Sequence, residues 1–461
     1  MRTVLITGAG GSGRTTVAAA TALATARAGR RTLLLSTDRA GVFDEILHPV
    51  GPAPAPDPAP GDAAPAAVPW TPPTEVAPGL WAARIATSEY FRAELAAVQE
   101  RGRGVLDFLG AHAVAAEEAT ELPGAETFAL LAALRAAHAG EPRPAGESAG
   151  PWDALVIDMP PAPETIRALA LPEQLGRYLR RLLPAERQAS RALHPMLAQL
   201  AGVPMPAQRL YETVERWQDD LARVRRVIDA DSVTVRLVTD PGPLAARALR
   251  AARAGLALHG CRVDAVIANR LLPTGSADPW LAATSGQQQA ALKELREECA
   301  HPARPVPAAA GRPDPATGGH PAAGPATDAT PATRPLVGLP VWEVAHAGRD
   351  PRGLADLGPL ADALEALDAR PERAADPPWT VEDRLADEGL LVWRLPLAGA
   401  ERGELSLVRR GDELVVTVGE FRRVLPLPSA LRRCTVSGAG LHEGALRVRF
   451  TPDPELWPRG L

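Results

Sequence analysis

Lysine is almost missing from this chain. Of 50 basic residues only Lys293 is a lysine, so arginine must carry whatever work is given to a cation. Cysteine is scarce too: Cys261, Cys299 and Cys434 are far apart and form no CxxC pair, so neither a disulfide framework nor a thiolate zinc site is signalled. With four methionines the chain lacks the Met-rich surface that adaptable apolar grooves use. Aromatic residues make up 4% and are scattered, so Trp217 and Trp342 read as packing residues. No apolar run approaches the roughly eighteen residues that span a bilayer. The first residues read as a buried strand without a basic-then-apolar secretion signal. A cytoplasmic protein with no integral membrane span is expected. Surplus positive charge is also absent, with 50 basic against 55 acidic residues and a net charge of −5. That balance argues against a nucleic-acid binder held by phosphate contacts, including a DNA-partition role.

Glycine and proline are plentiful, 40 and 48 of 461 residues. They concentrate in segments 49–78 and 301–335, where few large apolar side chains are available to offset ordering entropy, and both read as disordered or loosely held. Around them, short apolar runs alternate with helical stretches. The runs are Thr3–Thr7, Arg31–Ser36, Ala154–Ile157, Val233–Val238, Arg262–Ala268 and Pro335–Val341. The pattern predicts an α/β domain over 1–366 with a mostly parallel sheet. Helical blocks at 88–138 and 172–228 predict a helical subdomain above the strand ends. After a linker at 367–386, residues 387–461 change to short alternating strands at Leu390–Leu397, Glu404–Arg409, Glu413–Val418, Arg422–Leu427 and Ala445–Phe450. These predict a small all-β sandwich.

The first strand runs into Gly8-Ala9-Gly10-Gly11-Ser12-Gly13-Arg14-Thr15-Thr16, then a helix, which is the spacing of a phosphate-binding P-loop with Arg14 at the lysine position. Gly8, Gly10, Gly11 and Gly13 let the loop turn its amides, with those of Ser12, Arg14, Thr15 and Thr16, inward around a phosphate. Thr15 offers a hydroxyl for Mg²⁺. Arginine keeps the charge but is longer and planar, so nucleotide binding should survive the change better than hydrolysis. Asp38 and Asp158 each stand at the end of a predicted strand, where open α/β sheets place ligands. Together they can serve metal and water.

These residues resemble the arsenite-pump and guided-entry targeting ATPases, the ArsA-like branch of the deviant P-loop NTPases. Gly8–Thr16 is similar to that branch's GKGGVGKTT, Ser36–Ala40 to its STDPAH switch, and Asp158–Arg167 to its DTAPTGHTLR switch. Pro123–Glu126, Leu171–Glu173, Val266–Asn269 and Leu339–Glu343 fit the same series. The resemblance implies ATP and Mg²⁺ as cofactors and a homodimer with nucleotide at its interface. It gives Asp38 and Arg14 catalytic roles, Asp158 support of Mg²⁺ through water, and Asn269 with Pro340 contact to the nucleotide. It also implies a cation at position 9 that reaches the partner's phosphates, and here that position is Ala9. Loss of such a cation removes several kcal/mol of transition-state stabilisation, so slow turnover or none is expected. The carboxy-terminal strands resemble the α-crystallin-like sandwich of small heat-shock proteins, which implies contact with a hydrophobic protein or peptide client. The alternatives are a nucleotide-binding scaffold without a cycle, or an anion-pump subunit, which the scattered cysteines disfavour.

Overall fold

The computed structural model describes residues 1–39, 41–47, 68–109, 114–115, 117–139, 152–182, 206–300, 338–368 and 379–457. An eight-stranded sheet forms the centre, with strands β1 (Arg2–Gly8), β2 (Thr32–Ser36), β3 (Thr74–Ala77), β4 (Leu80–Arg84), β5 (Ala154–Asp158), β6 (Val233–Thr239), β7 (Val263–Leu271) and β8 (Val341–Ala345). Their spatial order is β3-β4-β2-β5-β1-β6-β7-β8, all parallel except the edge strand β3. A parallel sheet is covered on both faces, so its strands are apolar on both sides. Val4 and Ile6 of β1 pack toward one face and Leu5 toward the other.

On the first face lie α1 (Arg14–Arg27), α2 (Val42–Leu47) and α9 (Gly353–Asp368). Alanines of α1 let it sit close to the strands: Val17 to Ala20 and Ala22 are fully buried. On the second face lie α4 (Ala125–Ala139), α5 (Ala162–Leu182), α7 (Pro243–Leu258) and α8 (Pro279–Ala300). The helices α3 (Thr87–Leu109) and α6 (Pro206–Ile228) pack on α4, and α6 also on α5. Thus α4 is a sheet-covering helix, with Ala129 and Ala133 fully buried, and not part of a separate helical layer as its place in the 88–138 block suggested. Inside α5, Pro172 has no amide to give the Ala168 carbonyl one turn earlier.

The second unit is a β-sandwich. One sheet is β14-β15-β10-β9, built from β9 (Thr380–Arg384), β10 (Leu390–Pro396), β14 (Cys434–His442) and β15 (Ala445–Pro452). The other is β11-β12-β13, from β11 (Leu405–Arg410), β12 (Glu413–Val418) and β13 (Phe421–Pro426). A short α10 (Ser429–Arg432) leads into β14. Trp393 is fully buried at its centre, 6.5 Å from the Phe450 ring and 5.9 Å, edge-on, from that of Trp379. Its core is continuous with the second face of the large sheet.

Other expectations need correction as well. Residues 68–78 of the segment read as loosely held are ordered: Trp70 is buried and β3 pairs with β4, while 49–67 lies outside the described residues. The sandwich begins at β9, inside the stretch read as linker, because the alternation of Thr380–Arg384 is too short and polar to stand out in sequence. The last parallel strand starts at Val341 and not at Pro335, since Pro340 has no amide for a ladder. Segment 301–335 lies outside the described residues. Trp342 is half-buried, whereas Trp217, read as packing, is 51% exposed.

Candidate nucleotide site

The loop between β1 and α1 is held from outside by its carbonyls. Asn269, at the end of β7, donates from Nδ2 to the Ser12 carbonyl at 2.8 Å, and Arg270 donates from Nη1 to the Gly11 carbonyl at 2.7 Å. The Ser12 hydroxyl donates to the Ala9 carbonyl at 2.8 Å. Among the described residues, the amides of Gly10, Gly11 and Gly13 donate to no backbone carbonyl. Glycine is required at two places. A Cβ on Gly8 would lie 1.9 Å from the Val238 carbonyl oxygen, and one on Gly13, which has φ +84°, 2.4 Å from Asn269 Nδ2. The first turn of α1, where Thr16 is half-buried, carries no acidic residue, so its positive end is free for an anion.

Beside the loop, parallel pairing of β2 with β5 puts Ser36 opposite Asp158. The Ser36 hydroxyl donates to Asp158 Oδ2 at 2.8 Å, and Thr15 donates to the same oxygen at 2.9 Å. Asp158 is 3% exposed. Burial pushes its carboxyl up to about 6, Ser36, Thr15 and the Arg14 charge oppose the shift, and Asp38 adds to it. A buried carboxylate with two hydroxyl donors, next to a helix N-terminus, is a set of hard oxygen groups of the kind Mg²⁺ accepts.

Asp38 faces the same cavity, with Oδ2 accepting from the Phe43 amide at 3.0 Å at the start of α2. Arg14 donates from Nη1 to the Met159 carbonyl at 2.6 Å. Burial lowers its pKa while the charges of Asp158 and Glu164 raise it. The P-loop cation is therefore tied to the turn after Asp158. The cavity encloses about 430 Å³ and is lined by Arg14, Thr15, Asp38, Arg39, Glu126 and Asp158 among others. Arg39 leans on Glu121 at 2.7 Å and Glu126 at 3.2 Å.

The domain matches the anion-transporting ATPase family over residues 1–303, and residues 388–450 match the HSP20-like domain found in ArsA. The chain belongs to the ArsA ATPase family. Two relatives match it over at least 97% of both chains. "Uncharacterized protein SCO2128" of Streptomyces coelicolor is 47% identical over 462 residues, covering 100% of both chains. "Protein Rv2184c" of Mycobacterium tuberculosis is 30% identical over 484 residues, covering 99% of this chain and 97% of its own. A "Putative arsenical pump-driving ATPase" of Chlorobaculum tepidum is 30% identical over 303 residues, 64% of this chain and 68% of its own.

Within this ArsA ATPase domain, Gly8 to Thr16, Asp38, Asp158 and Asn269 gather at one end of the sheet. Pro340 does not. Its carbonyl accepts from the Val266 amide, three residues before Asn269, so it stands at the amino-terminal end of β8, away from the loop. The segment at the loop end of β8 is Ala345-His346, where the His346 amide donates to Leu271. Ser36 and Arg39 were missed as site residues. Both lie in the Ser36–Ala40 stretch that resembles a switch, and Ser36 had a further signal, a hydroxyl at the last position of an apolar strand.

Proposed function

We propose that this chain is a Mg²⁺-dependent ATP-binding protein whose hydrolysis is slow. Gly10 to Thr16 would hold the phosphates, Thr15 with Asp158 would hold the metal through its water, and Asp38 would hold the attacking water. When bound, Mg²⁺ would neutralise charge building on the phosphates. The observation that carries the reading is the convergence of Thr15 and Ser36 on one buried oxygen of Asp158 beneath a loop with free amides. Slow turnover follows from two features. Position 9 carries alanine, and the one cation in the loop is committed to the Met159 carbonyl. Asp38, held at the head of α2, changes place only if α2 moves, which is how nucleotide would close a homodimer and act on a hydrophobic client.

The commitment of Arg14 also supports a second reading, a nucleotide-binding scaffold without a cycle. A metalloid-pump role has less support, since the described residues contain no cluster of Cys, His or acidic groups fit for a metal ion. The test is Mg-ATP binding and hydrolysis by the parent beside Asp38→Asn and Arg14→Ala. Binding in all three, with measurable turnover in the parent and none in Asp38→Asn, is expected. Binding with zero turnover in the parent selects the scaffold, and no binding refutes both readings.

A further inference from the structure

The HSP20-like sandwich sits on α5, the helix that begins four residues after Asp158. The contact has an apolar centre. A Cβ placed on Gly255 of α7 would fall 2.6 Å from Phe421 Cδ2 and 2.8 Å from Ile166 Cδ1, so β13, α7 and α5 meet at one point that only glycine fits. Charged pairs flank it along α5. Arg423 of β13 reaches Glu173 at 3.1 Å and gives a further hydrogen bond of 2.9 Å to the Leu258 carbonyl. Glu413 of β12 takes both arms of Arg177, at 3.2 and 3.1 Å, and also Arg181 at 3.1 Å. Arg167 pairs with Glu420.

These pairs are not equal. Arg167–Glu420 is half exposed or more and contributes little, whereas Arg177–Glu413 and Arg423–Glu173 are about three-quarters covered or more, the second of them two residues along β13 from Phe421 and the first at the far end of the β12–β13 ladder. At the other end of α5, Ile166 follows Thr165 directly. The Thr165 hydroxyl donates to the Pro160 carbonyl at 2.7 Å, and so does Thr7 of β1. Arg14 holds the preceding carbonyl, Met159. An unbroken series of packed or hydrogen-bonded groups thus runs from Phe421 through Ile166, Thr165 and Pro160 to the residue after Asp158. A rigid element that both sites bias is what coupling requires.

We infer that the sandwich is a clamp on α5: Phe421, Glu413 and Arg423 are positioning residues for the Asp158–Pro160 turn, and nucleotide at the P-loop is felt in β12 and β13. The inference rests on the nucleotide reading above and adds to it an effector built into the same chain. Reorganising the turn around Mg-nucleotide moves Thr165 and Ile166, and the sandwich must follow or lose its grip. By reciprocity, loosening the grip alters nucleotide affinity.

The test uses the full chain and a non-hydrolysable ATP analogue with Mg²⁺. Affinity is measured by titration, and amide hydrogen exchange is followed in 162–182 and 413–426. The variants are Glu413→Arg, Arg177→Glu and the exchanged pair carrying both, with circular dichroism confirming that each is folded. In the parent, the analogue is expected to change exchange in both segments. In Glu413→Arg, affinity falls about fivefold or more, in the range of ordinary coupling between sites, and 413–426 no longer responds. The exchanged pair restores both, which assigns the loss to this pair and not to damage from either substitution alone. A parent whose 413–426 segment ignores the analogue while 162–182 responds overturns the inference. So does a Glu413→Arg variant with parental affinity. Absence of analogue binding in the parent overturns the nucleotide reading itself and the inference with it, and the titration alone reports that case.

Discussion

Replacing Asp158 by asparagine should make the nucleotide-free protein more stable while removing its response to Mg-ATP. The carboxyl is moved from 3.8 to about 6, first of all by burial. A group whose folded pKa is raised contributes stability that is complete below the unfolded value and is lost as pH rises through the folded one. Two units at about 1.4 kcal/mol each mean that the ionised carboxylate costs the fold about 3 kcal/mol at pH 8. Both hydroxyl donors, from Thr15 and Ser36, point at Oδ2, so the single carbonyl oxygen of asparagine accepts the same two bonds. The gain in Asp158→Asn should therefore approach 3 kcal/mol at pH 8, about half of it remaining at pH 5. Denaturant midpoints at the two pH values, without nucleotide, read it directly. Titration with Mg-ATP should show binding weakened at least tenfold, or no longer dependent on Mg²⁺. A variant that is less stable than the parent at pH 8, or equally stabilised at both pH values, would refute the reasoning. Retained Mg²⁺-dependent affinity would remove Asp158 from the metal site.

Gly13→Ala should abolish nucleotide binding and lower stability. Its left-handed backbone alone costs a side chain about 1–2 kcal/mol, and the new methyl displaces Asn269 from the Ser12 carbonyl. Calorimetry with ATP and a thermal melt check both, and parental affinity would show that the loop tolerates what its geometry forbids. His259 lies beside Arg423, Arg225 and Glu173, and burial pulls its imidazole down to about 4. A depressed histidine costs stability as pH falls from 6.5 toward 4, up to about 3 kcal/mol. Asp158 acts with the opposite sign over that range, so the slopes must be compared between parent and His259→Gln, the variant losing less stability as pH falls. Equal slopes would mean that the imidazole is solvated.

The nucleotide loop was legible because all its information is local: strand, four glycines, hydroxyls and helix follow within sixteen residues. Five of the parallel strands were legible for the same reason, as apolar runs with turns at their ends. What failed to show was whatever depends on register or on distant segments. Asp158 was chosen as a strand end, but its Ser36 partner emerges only once β2 pairs with β5 in the register that sets them side by side. Pro340 was chosen by resemblance of a motif, and the strand after it runs the motif's other end toward the site. The strands β3, β9 and β14 are short, polar or glycine-bearing, so alternation carried too little signal. The meeting of Ile166, Gly255 and Phe421 joins residues up to 255 positions apart and has no trace in local pattern.

Pro172 gives α5 an uneven stiffness along its length. The half that meets Phe421 at Ile166, 162–171, and the half that holds Glu413 and Arg423, 173–182, are joined at the one turn whose ladder lacks a rung. The helix is in effect a connecting rod with a joint between its apolar anchor and its ionic one. A bend there would let the ionic grip shift while Ile166 stays seated against Phe421. Alanine at that position would restore the rung and make the two anchors move as one.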